Sequence, residues 1–209
     1  MAKARRGNAE PHEHHPDPAT TTRLTRIQPF LSFRLSPSPF MTELSLLIRT
    51  EQPIDSEAIE RLHERAFGPG RFARTASRLR EGVPHLRDLS FTALVGTLLV
   101  GSVRLTPVMA GEEAALMLGP LTVEPAFENR GIGAALMRRS LEAAKAKGHT
   151  LVLLVGDEPY YSRFGFKRIP PQHLQLPGPV NPARFLALEL EEGALARAKG
   201  MVSQFPVSA

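Results

Sequence analysis

The stretch Leu118–Arg168, LGPLTVEPAFENRGIGAALMRRSLEAAKAKGHTLVLLVGDEPYYSRFGFKR, holds most of the chemical information in this 209-residue chain. A strand, Ala114–Val123, ends before Pro125, and a loop then enters a helix at Arg130-Gly131-Ile132-Gly133-Ala134. Two glycines and a small residue let a backbone approach a ligand closely. The first N–H groups of a helix lack internal partners, and the helix dipole puts partial positive charge there. Phosphate binds well at such a place, and Arg130 can add a formal charge. The helix is expected over 131–148, with Ile132, Leu136, Met137, Leu141 and Ala144 on its inner face. Leu151–Val155 contains only Leu and Val, as a buried strand beside a parallel neighbour does. Residues 159–163 read as a short helix.

Gly-x-Gly at a helix start is a weak signal alone, because close helix packing produces it too. A dinucleotide fingerprint is one rival, since Asp157 follows the next strand at about the distance that motif wants. Against it, the third small position is Leu136, a further loop separates strand from glycines, and antiparallel strands come first.

The motifs taken in order are more specific. Val123-Glu124-Pro125, then Glu128-Asn129-Arg130-Gly131-Ile132-Gly133-Ala134, then Tyr160-Tyr161-Ser162-Arg163-Phe164-Gly165-Phe166 follow one another at fitting distances. This run resembles the acetyl-CoA core of the GNAT superfamily of N-acetyltransferases. It is similar in wording to a bacterial branch with Gly-Asp-x-x-Tyr-Tyr-x-Arg-Phe-Gly-Phe. The resemblance implies an α/β (α+β) three-layer fold. Its central sheet would be mixed and mostly antiparallel, splayed at the cofactor site, with helices on both faces. One position departs from the family pattern: Glu128 stands where Gln or Arg is usual, and an acid beside a diphosphate is repelled by it.

The resemblance also implies roles. Acetyl-CoA as cosubstrate would lie between strands 118–123 and 151–155, along Leu121, Thr122 and Val123. Its amides would pair with the backbone of Leu121 and Val123, as an added strand does. The diphosphate would rest on the loop Glu128, Asn129, Arg130, Gly131, Ile132, Gly133 and Ala134. A primary amine of a small molecule or peptide attacks directly, Val123 N–H stabilises the developing oxyanion, and Tyr161 protonates the leaving thiolate. Tyr160 is an alternate one position out of register. Glu112, Glu113 and Glu124 are nearby carboxylates, but none is assigned as base. A non-catalytic acyl-CoA binder or sensor on the same fold is the alternative; it would need the glycines but not Tyr161.

Outside this core, Leu44–Thr50 reads as a strand. Asp55 can cap a helix to Phe67 with Ile59, Leu62 and Ala66 inward, His63 beside them, and Gly68-Pro69-Gly70 as its stop. Residues 71–81 read as a basic helix with Arg71, Arg74 and Arg78 on one side. Leu89–Val95 and Leu98–Leu105 flank Gly96-Thr97 as a hairpin. Phe166–Ile169 and Phe185–Leu190 are expected as late strands, with a Pro-rich loop over 170–184.

Composition bounds the rest. There is no Cys, so thiolate metal sites, disulfides and Cys nucleophiles are excluded. No apolar run approaches the roughly 18 residues that span a bilayer, so no membrane role is expected. The net charge is +5 and the pI ≈ 10.1, which invites a nucleic-acid reading. The charge is uneven, however: residues 1–40 carry +3 and six of the 19 prolines, leaving +2 for 41–209. Residues 1–40 are therefore expected to be a disordered extension and 41–209 the N-acetyltransferase domain. Met41 reads as an alternative start. His12-Glu13-His14-His15 is a weak metal motif better read as solvated tail, so no metal site is expected. Arg5-Arg6 lacks the apolar segment of a secretory signal, so a cytoplasmic protein is expected. No nucleic acid is expected as partner, and a homodimer is left open.

Overall fold

The computed structural model describes residues 45–68 and 75–206. The expected extension, with its His tract, and Arg71 and Arg74 lie outside them. Strands are β1 Leu46–Thr50, β2 Phe91–Val95, β3 Leu98–Ala110, β4 Glu113–Val123, β5 Leu151–Val155, β6 Lys167–Arg168, β7 Leu174–Gln175, β8 Phe185–Glu189 and β9 Gly200–Gln204. Helices are α1 Ser56–Phe67, α2 Thr75–Arg78, α3 Ile132–Ala146, α4 Glu158–Tyr161 and α5 Ala194–Arg197.

The strands form one open mixed sheet in the order β1-β2-β3-β4-β5-β8-β6. All neighbours along that path are antiparallel except β4 and β5. The long β3 has two partners on one edge: β2 along Leu98–Val103 and β9 along Val108–Ala110. β7 runs parallel to β9 outside it. The sequence did not announce β7 or β9, because two to five residues with mixed burial carry no clear period.

Helices cover both faces, and adjacent residues of β3 show it. A Cβ on Gly101 would meet Leu136 and Ile132 of α3 at 3.0 and 3.3 Å. The next residue, Ser102, faces α1, with its Oγ 3.2 Å from His63 Nε2. The strand β5 is buried from both sides: Val152 and Leu154 join the α3 core, and Leu151 and Leu153 the opposite one.

The helix α3 forms where Ala, Leu, Met, Arg and Lys, all good helix formers, follow Gly131. Gly131 precedes it in the left-handed conformation (φ 80°), which a Cβ would penalise. All five expected inner residues are buried, and Ser140 joins them by donating to Leu89 O at 2.6 Å. Each fully buried Leu or Met contributes roughly 1.5–3 kcal/mol.

Several expectations need correction. Ala66 of α1 is exposed, and His63 is buried in its place. Residue 63 is the i+4 neighbour of Ile59, so it completes the apolar stripe. Asp55 precedes α1 but makes no cap bond. Its carboxylate is held instead by both guanidinium nitrogens of Arg49, at 2.7 and 2.8 Å, and by Gln52 N–H. The helix expected over 71–81 is a single turn among the described residues. The Arg80 side chain donates to Ala76 O at 2.8 Å, the carbonyl a continuing α-helix would use, and the following N–H groups bond three residues back. The hairpin strand expected to end at Leu105 continues to Ala110. The late strand expected over 166–169 shrinks to Lys167–Arg168, with Phe166 and Ile169 turned into the core.

Candidate active site

The parallel strands β4 and β5 pair only at Leu116–Val152 and Met117–Leu153. Beyond that step they part. On β4 the register against β3 slips between Leu118 and Leu121, so one extra residue bulges out where the gap opens. Past the bulge, Glu124 N–H donates to Val100 O at 2.8 Å. Backbone groups alternate sides along a strand. Thr122 therefore turns its N–H and C=O to β3, while Leu121 and Val123 turn theirs to the gap. The Thr122 hydroxyl is buried without a hydrogen-bond partner among the described residues.

The loop after β4 leads into α3. Glu128, Asn129, Arg130 and Gly131 are exposed, Ile132 is buried, and Gly133 and Ala134 are half-buried. Ala135 N–H makes the first bond back, to Gly131 O at 3.0 Å. The N–H groups of Ile132, Gly133 and Ala134 thus have no intrahelical acceptor. Glu128 differs from its neighbours: its N–H is engaged with Pro125 O at 3.2 Å, so it brings an acid and no spare donor. The Arg130 guanidinium stacks 5.5 Å from the Phe127 ring centre.

The two tyrosines of α4 part company. The Tyr160 hydroxyl points to the start of α3, 2.9 Å from where a Gly133 Cβ would be, and Arg163 lies 4.1 Å above its ring. Tyr161 lies against Gly156, where a Cβ would come within 2.2 Å of its Cε2, and lines the cavity that continues the gap. Burial, with Tyr160 and Asp157 adding to it, pushes the Tyr161 phenol up to about 12.

That cavity holds about 1070 Å³. One wall is Leu118–Leu121 and Leu154–Asp157; the facing wall brings together His63, Arg80, His85 and Arg104. Arg104 bridges two acids, donating to Glu51 at 2.8 and 2.9 Å and to Glu60 at 3.0 Å. His85 Nε2 lies 3.1 Å from Glu51 Oε1. Burial opposes the Glu51 charge, but the His85 ring and the Arg104 guanidinium outweigh it and hold the carboxyl at about 2. Burial, with the nearby charge of Arg104, lowers Arg80 to about 10. Sequence reasoning missed this wall. Its members lie at 51, 60, 80, 85 and 104, with no local spacing to link them, and only the folding of the end of β1, α1 and the segment after α2 around Arg104 of β3 assembles it.

The three carboxylates near the strand fare differently. Glu124 pairs with Arg65 at 2.7 Å. Glu112 and Glu113 stand at the other end of β4, roughly 30 Å from Val123 at strand rise. Among the described residues no group of three or more His, Asp or Glu could hold a metal, and no helix is long and apolar enough to cross a membrane.

Comparison with known proteins agrees with this geometry. The family model described as an acetyltransferase (GNAT) domain matches residues 88–168. The chain is 30% identical over 159 residues to the uncharacterized N-acetyltransferase YhbS of Escherichia coli K12, covering 75% of this chain and 95% of that protein. The crystal structure of E. coli YhbS in complex with CoA superposes with a TM-score of 0.67 at 29% identity, covering 78% of this chain and 91% of the other. A GNAT family acetyltransferase from Brucella melitensis in complex with acetyl-CoA superposes with a TM-score of 0.54 at 30% identity, covering 70% and 88%.

Proposed function

Since this chain belongs to the GNAT superfamily of N-acetyltransferases, we propose that it moves an acetyl group from acetyl-CoA to a primary amine by direct attack. The observation that carries this reading is the parting of β4 from β5 after one paired step, with Leu121 and Tyr161 lining the cavity that follows and Val123 packed beside Gly133 at the α3 start. The residues fit the cosubstrate. Leu121 and Val123 offer strand-like pairing to the pantetheine amides. The free N–H groups of Ile132, Gly133 and Ala134, with Asn129, Arg130 and Gly131 before them, suit a diphosphate. Glu128 contributes position only.

Bound acetyl-CoA supplies an activated thioester carbonyl. Val123 N–H is aimed to donate to the carbonyl oxygen as negative charge builds there, which costs no reorganisation. The C–N bond forms, the C–S bond breaks, nitrogen gives up one proton and the thiolate gains one. Tyr161 is protonated at neutral pH and is the donor to sulfur. A phenol at about 12 is a weak acid, so Tyr161 hydrogen-bonds the thiolate as it develops, and the proton that sulfur gains passes through this phenol, which is reprotonated from solvent. His85, whose Nε2 is buried in the cavity wall without a hydrogen bond among the described residues, is the side chain we assign to accept the proton from nitrogen. A cytoplasmic location goes with this reading.

The test uses the full chain. Acetyl-CoA at 100 times its Kd adds about 2.7 kcal/mol of stability, several degrees of Tm for a domain of this size. An amine panel assayed for CoA release should then give turnover. No Tm shift at millimolar acetyl-CoA removes the cosubstrate. A shift without release from any amine favours the binder or sensor.

A further inference from the structure

We propose that the acceptor end of the cavity contains an anion-reading subsite built on Arg80, and that the amine acetylated here is a small molecule bearing a carboxylate. This rests on the reading above that the cavity admits the acceptor, and it adds the acceptor's chemical class.

Arg80 follows α2 and lines the cavity. Its Nε donates to Ala76 O at 2.8 Å, which fixes the stem and leaves both terminal nitrogens for other partners. Nη1 sits against β4, 3.2 Å from where a Gly119 Cβ would be, so the absent side chain is what admits the guanidinium. Among the described residues no carboxylate pairs with it. The other cavity arginines are answered: Arg104 by Glu51 and Glu60, and Arg184 by Asp157 at 3.0 Å. Glu81, also on the wall, is exposed and makes no ion pair with Arg80 among the described residues.

The result is a largely enclosed cation, lowered to about 10 and so still charged at neutral pH, without a counter-ion. Holding a charge out of water is unfavourable unless it is paired. A ligand anion would relieve that cost, and the planar fork of arginine matches a carboxylate in two parallel hydrogen bonds. The anion is not a phosphate of the cosubstrate on this geometry. Gly119 precedes Val123 by four residues, about 13 Å along the strand, whereas the free N–H groups of α3 lie beyond Val123. Arg80 and the phosphate cradle thus stand at opposite ends of the opening. The cavity volume is of the size that takes small molecules.

The test compares glycine, β-alanine and 4-aminobutyrate with their primary amides, pairs differing in one charge. In the wild-type chain the acids should exceed the amides in kcat/KM about tenfold or more, as a charge-assisted bond predicts. Arg80→Gln should bring the ratio near one, and Arg80→Lys should restore part of it. Equal rates for acid and amide in wild type, or a preference that survives Arg80→Gln, overturns the proposal. A binding arm needs no turnover: N-acetyl-β-alanine should raise the Tm of the CoA-bound wild-type chain more than its amide does, and Arg80→Gln should lose that difference. No such difference in wild type also overturns it. The Tm shift by acetyl-CoA alone, measured in each chain, reports folding and the cosubstrate reading separately. If Arg80→Gln does not fold, the wild-type acid-to-amide comparison decides.

Discussion

Tyr160 and Tyr161 are neighbours with the same functional group and different surroundings. The first reaches the amino end of α3 under Arg163; the second fills the space left by Gly156 and faces the cavity. Tyr161→Phe is expected to lower kcat by about 10²-fold, the lower end of what acid–base catalysis supplies, while acetyl-CoA still raises Tm. Unchanged turnover takes Tyr161 out of the mechanism. The phenol lies at about 12, so it stays protonated below that pH. A rate profile should show no falling limb from Tyr161 between pH 6 and 10, and Tyr161→Phe should not alter its shape. The Tyr161 position was legible from its spacing to Gly165-Phe166. Arg80 was not, because nothing in the sequence around an arginine shows whether a carboxylate will fold against it.

At the scale of elements, β5 and α4 meet at Gly156, and the fit is tight. Gly156→Ala puts a methyl into the Tyr161 ring, so the ring must move or the turn between strand and helix must shift. Overpacking of this kind costs about 1–3 kcal/mol. We expect a lower Tm and a loss of turnover at least as large as that of Tyr161→Phe; wild-type turnover would show that the ring position is not critical. Long, regular elements could be read in advance. The 15 residues of α3 repeat their apolar face often enough to place Ile132, Leu136, Met137, Leu141 and Ala144 correctly. Where one side chain decides, the pattern fails. Ala66 and His63 differ by three positions on α1, and the register of the stripe favours the histidine. The helix expected over 71–81 has the composition for continuing, yet the Arg80 side chain takes the carbonyl that would have extended it.

Across the whole molecule, the acidic and basic residues beneath α1 couple stability to pH. Glu51 is 4% exposed and falls from its ordinary 4.5 to about 2 in the folded chain. A carboxyl lowered by folding adds stability that is present above the unfolded value and disappears as pH falls through the folded one, here on the order of 3 kcal/mol. Wild type should therefore lose stability more steeply than Glu51→Gln between pH 5 and 2, although the variant is weaker at pH 7. Parallel denaturation curves over that range would contradict this. The sheet has a consequence for synthesis as well. The outer edge of β3 at Val108–Ala110 is completed by β9, not by the β2 strand made just before it. With about 90 residues between the end of β3 and β9, and translation at roughly 5–20 residues per second, that edge waits about 5–20 seconds for its partner. In a cell, a growing chain would carry an unpaired strand through that interval, the period when a chaperone or a neighbouring nascent chain can reach it.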